Sequence, residues 1–97
     1  VNFNKPKVRG NMNTIFLLMA EYETPTVPLA EICEKYLGLK PRTAEDKAAL
    51  GQLPLPTFRL GTSQKSPRLV HLQDLAELID QKRKEAKKQH EYMNGRP

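Results

Sequence analysis

The residues of this chain that could do covalent or metal chemistry are few and scattered. Cys33 is the only cysteine, and His71 and His90 are the only histidines. A tetrahedral zinc site needs several Cys or His ligands at close spacing. Nucleophilic catalysis needs a base within reach of the nucleophile, and His71 has no Ser, Cys or Asp motif beside it. No phosphate-binding glycine loop is present. These absences predict a chain that is not an enzyme and takes no cofactor and no metal. Cys33 and His71 read more simply as a buried core thiol and a structural hydrogen-bonding group. What the remaining side chains can do is bind phosphate and base edges. Lys40, Arg42, Thr43 and Lys47 cluster in one short stretch, and Arg59, Gln64, Lys65 and Arg68 in another. A guanidinium can donate two hydrogen bonds to a guanine edge or grip a phosphate. A threonine at a helix start can cap the helix or face a phosphate, and the free N–H groups there favour an anion. Lysine reaches backbone phosphate as a point charge, and glutamine can donate to a groove edge.

The overall charge agrees with a polyanionic partner. The net charge is +5 over 97 residues, and neutralising phosphates releases counterions. The excess is unevenly placed. Residues 1–11 carry a net +3, residues 12–39 a net −3, residues 40–70 a net +4, residues 71–81 a net −3 and residues 82–97 a net +4. Glu45 and Asp46 sit awkwardly inside the central basic block. Either they accept from cytosine amino groups, or their face points away from the nucleic acid.

The elements that must position these residues follow from pattern. A 97-residue chain suits one domain. Residues 1–11 read as a disordered leader. Thr14 to Tyr22 is apolar nearly throughout, which leaves strand and helix both open. Glu23 to Thr26 reads as a turn. Leu29, Ile32, Cys33, Tyr36 and Leu37 form a helical stripe, with Pro28 at its first position and Gly38 as the left-handed residue that closes it. Thr43 followed by Asp46 resembles a capping box, opening a second helix that ends at Gly51. Leu39 is the apolar plug of the turn between them. Pro54 and Pro56 enforce an extended path. Thr57 to Gly61 and Arg68 to Leu72 read as the strands of a β-hairpin with a basic tip. A last helix starts near Gln73, with Leu72, Leu75, Leu78 and Ile79 as its buried stripe, expected to pack on the Leu29–Leu37 stripe. Beyond Lys82 the helix reads as a solvated basic extension, fraying from Tyr92. No run is long and apolar enough to span a bilayer, so the expected location is cytoplasmic and nucleoid-associated.

Helix, tight turn, helix, hairpin, helix is the order of a winged helix-turn-helix, a mainly α fold with a small β-hairpin (α+β). Residues 12–81 form that unit, and residues 82–97 the extension. Such a unit lays its second helix in the major groove and its wing on the backbone or in the minor groove.

From Met12 the sequence runs MNTIFLLMAEYETPTVPLAEICEKYLGL, and from Gly51 GQLPLPTFRLGTSQKSPRLVHLQDLAELIDQKR. Over residues 12–86 it resembles the pyocin activator (PrtN-type) family, with PxPxFRLGxSQKxPxLVHxxDLAxxID, from Pro54 to Asp80, as its most specific part. The pattern of G-x-L-P before a basic hairpin, then D-L at a helix start, is similar to excisionase and MerR-type winged helices. The resemblance implies double-stranded DNA as partner and activation of bacteriocin or prophage genes. Two alternatives stand beside it. One is an excisionase-like architectural role. The other is a protein-interaction module that contacts RNA polymerase through the acidic first helix of the pair. Thr14 to Tyr22 could also serve a homodimer.

Overall fold

A computed structural model describes the backbone over residues 9–94 and the side chains from residue 14. Most of the leader, residues 1–8, and residues 95–97 lie outside the described residues; Tyr92 and Met93, read as frayed, still belong to the last helix, which Asn94 caps. The last part of the leader, Arg9 to Asn11, opens helix α1 (Arg9–Tyr22). The Thr14–Tyr22 segment is therefore helical. Its buried face, Leu18 with Ile15 and Tyr22 beside it, packs on the last helix. Glu23 adopts a left-handed φ of 57° and lets the chain leave the helix.

The segment read as a turn, Glu23 to Thr26, bends as expected through Pro25 and leads into a strand that the sequence reading lacked. β1 (Thr26–Pro28) pairs antiparallel with β2 (Leu69–His71), with Val27 opposite Val70. Both valines are buried, and β-branched side chains suit such a pleated, packed position. Val27 flanked by two prolines carries no alternation over four or more residues, which is why periodicity missed it. The expected hairpin contracts to a single pair, Phe58 with Leu69. That pair exchanges both backbone hydrogen bonds, at 3.0 and 2.6 Å. β2 is thus central, held by β1 on one edge and by Phe58 on the other.

Pro28 caps rather than begins the next helix. α2 (Leu29–Ile32) passes directly into a π-helical turn, Cys33–Leu37. The Cys33 carbonyl receives the N–H of both Gly38 and Leu39. Gly38 closes the turn at φ 68°, as its residue type predicts. Leu39 packs on the core behind the turn. α3 (Pro41–Ala49) starts three residues earlier than the capping-box reading. Lys40 is its N-cap, Pro41 its first residue, and Thr43 lies inside the first turn. Pro41 dictates this start, since its fixed φ and missing N–H fit the first helical position.

α4 (Leu72–Met93) begins one residue before the expected position. His71 caps it by accepting from the Gln73 N–H at 3.0 Å, the structural role expected of that side chain. The core is one cluster in which Leu29, Ile32 and Cys33 meet Leu72 and Leu75, with Tyr36, Leu37, Leu78 and Ile79 around them. Cys33 is a buried, free thiol. Thr14 Oγ1 donates to Asp80 Oδ1 at 2.6 Å, tying α1 to α4. Lys35 Nζ donates to Glu21 at 2.8 Å, which raises the lysine pKa and lays the π turn beside the end of α1. Burial, then the neighbouring Tyr36 phenol, raises the pKa of Tyr22 in the same corner. The fold class is therefore mainly helical with a small antiparallel pair. Among the described residues no helix is long and apolar enough to cross a membrane.

Candidate nucleic-acid interface

Two surfaces carry the basic residues singled out above. The first is the open end of α3. Lys40, Arg42 and Thr43 are exposed there, and no side chain caps the helix start. Lys47 is half-exposed, one to two turns further along the same helix. The second is the loop from Arg59 to Arg68. Gln64 and Lys65 form its exposed turn, where Ser63 Oγ accepts from the Lys65 backbone N–H at 3.0 Å. No ion pair among the described residues engages Lys40, Arg42, Lys47 or Lys65.

Arg59 and Arg68 are placed differently. Both turn inward to Glu45 on α3. Arg59 Nη2 lies 2.6 Å and Arg68 Nε 3.0 Å from the same carboxylate oxygen. Arg68, whose side chain is only 13% exposed, also donates to Thr57 Oγ1 at 3.1 Å. Arg59 Nε donates to the Ser66 carbonyl at 2.9 Å, which holds the returning arm of the loop. Charge-assisted bonds of this kind are short and stronger than neutral ones. Residue 61 is glycine where the arms approach closely, because a Cβ there would strike the Ser66 hydroxyl.

Glu45 thus joins the second helix to the loop. Its role was hidden in the sequence, where it appears only as an acid in a basic block. The signal was there in a form that spacing cannot decode: one carboxylate on the helix and two arginines flanking the loop, 14 and 23 residues downstream. Between these parts lies a cleft of about 300 Å³, bordered by Pro28 and Ala30 of the first helix start, Pro41 of α3, and Gln64 and Ser66 of the loop. The start of α3 and the loop tip therefore border one concavity. Among the described residues no group of three His, Cys, Asp or Glu side chains could hold a metal.

Residues 14–86 match the family described as Pyocin activator protein PrtN. The chain belongs to that family. The match spans all of α2, α3, the loop and the β pair, and the part of α4 that packs on the core. The pyocin activator family is named for a regulatory role, not for a catalysed reaction. No curated protein and no solved structure matches the chain.

Proposed function

We propose that the chain is a sequence-specific regulator that binds double-stranded DNA and activates pyocin or other phage-derived genes. The observation that carries this reading is the shared cleft. Pro41 at the start of α3 and Gln64 at the loop tip border it together, each next in sequence to exposed cations (Lys40 and Arg42, and Lys65), while the one acid of its lining, Glu45, is paired with Arg59 and Arg68. In this reading the fold works as a winged helix-turn-helix. α3 enters the major groove start-first, with Arg42 reading base edges and Lys40, Thr43 and Lys47 on the flanking phosphates. The loop is the wing, and Gln64 and Lys65 meet the sugar-phosphate backbone. Arg59 and Arg68 hold the wing at a set distance from α3 and lend it positive potential. The family supports the regulatory part of the reading, and activation would need a further contact, for which the acidic surface of α2 offers RNA polymerase a face. Such a protein works in the cytoplasm, on the nucleoid.

Binding to the intergenic DNA beside the gene, followed over a salt series, tests the proposal. Log affinity should fall linearly and steeply with log salt, as several phosphates are neutralised. An affinity that stays flat from low to physiological salt overturns it.

A further inference from the structure

From Ile15 to Ala20 α1 is apolar all round, but only one of its faces is covered. Phe16, Leu17 and Met19 lie on the solvent side, 58%, 71% and 45% exposed. A helix hydrophobic on every side is normally buried, and a contiguous apolar patch on a small domain marks an interaction surface. A second element is equally without a partner among the described residues. From Gln81 to Met93 every residue of α4 is exposed, and Tyr92 and Met93 stand at its end. Three helical turns that pack on nothing gain little from propensity alone.

The two features are complementary in charge. The α4 extension carries Lys82, Arg83, Lys84, Lys87 and Lys88 against Glu85 and Glu91. Glu21 ends α1 and Glu23 follows it; the Lys35–Glu21 bond takes up one of these charges and sets the π turn, with Glu34, beside them, which leaves the corner net acidic. They are also matched in length. At 1.5 Å per residue each is a rod of about 20 Å. Within one chain they cannot meet, because α4 is continuous and already lies on the opposite, Leu18 face of α1.

We infer that a second copy of the chain covers this surface, each copy's α4 extension lying across the outer face of the other's α1. Tyr92 and Met93 of one copy cover Phe16 and Leu17 of the other, and Lys87 and Lys88 face the Glu21–Glu34 acids. Each contact occurs twice, as a closed twofold dimer requires. Pairing α1 with α1 alone would cover only the few apolar side chains between Phe16 and Met19 and leave both extensions exposed. Pairing the two extensions would oppose like charge.

Sedimentation equilibrium of the full chain without DNA tests this independently of the DNA reading. The wild type should be dimeric at micromolar concentration. Leu17→Glu and the double change Lys87→Glu with Lys88→Glu should each raise the dissociation constant by about tenfold or more, about 1.4 kcal/mol. Both sites are exposed, so the far-ultraviolet spectrum and melting of the monomer should persist. A Leu17→Cys chain mixed with a Met93→Cys chain should form a mixed disulfide, with buried Cys33 silent. A wild type that stays monomeric overturns the inference. So does a dimer that ignores the lysine changes and gives no mixed disulfide, and so do lysine changes that alter DNA binding alone.

Discussion

Arg59 places a guanidinium nitrogen 2.6 Å from Glu45 Oε2, across the gap between the loop and α3. Arg68 reaches the same oxygen from the other arm of the loop. One carboxylate therefore sets where the loop stands relative to the helix. Removing it leaves two partly buried cations without a counter-charge. Glu45→Ala should lower stability by about 1–3 kcal/mol, between the values for surface and buried pairs. Urea denaturation measures the loss. Hydrogen exchange should quicken at residues 59–68 and stay unchanged in α1. Equal quickening everywhere would show that Glu45 holds the whole fold and not the loop.

Gly61 tests the loop's own geometry. Gly61→Ala forces the Ser66 hydroxyl to rotate aside, next to the carbonyl that Arg59 binds. If the DNA reading holds, it should weaken binding, and adding Ser66→Gly should restore it. If the double variant binds no better than the single one, the two arms do not meet as described.

The core makes a simpler demand. Ile32 and Leu75 are fully buried, whereas Phe16 is exposed. Ile32→Ala or Leu75→Ala should cost ~2–5 kcal/mol. Phe16→Ala should stay within about 0.5 kcal/mol per monomer. Thermal melting at a concentration where the chain is monomeric separates them, and similar losses for all three would place α1 differently.

The DNA reading divides labour between helix and loop. Arg42→Ala should weaken binding to the operator by roughly 1–3 kcal/mol and narrow the gap to scrambled DNA. Lys65→Ala should weaken both duplexes alike and reduce the salt slope by about one. The reverse pattern, with the operator preference lost only on changing Lys65, would assign base reading to the loop.

Helix-forming stripes and their glycine stop were legible in the sequence, because Leu29 to Leu37 and Gly38 speak through local geometry. So was the meeting of that stripe with Leu75, Leu78 and Ile79. The strand at Val27 was not, since its pairing with Val70 is decided by tertiary packing and one residue carries no period. The start of α3 was misplaced because Thr43 offers a capping side chain, yet Pro41 already supplies helical geometry two residues earlier. At the candidate interface, exposure at Lys40, Arg42 and Lys65 followed from charge and turn chemistry. The inward turn of Arg59 and Arg68 did not, because a salt bridge across 14 or 23 residues leaves no mark on local pattern.

The position of β2 between β1 and Phe58 predicts the order in which the molecule assembles. The α2–α3 contacts are local and close quickly, while the Thr26–His71 ladder joins segments more than forty residues apart and bears the entropy of that closure. The loop's returning arm, Ser66 to Arg68, leads straight into β2, so it is anchored only once that late step is done. A chain caught before it already has its helices but lacks a fixed loop. Helix content and loop order should therefore separate in destabilised variants, which, if the DNA reading holds, lose discrimination between duplexes while their circular dichroism still looks native.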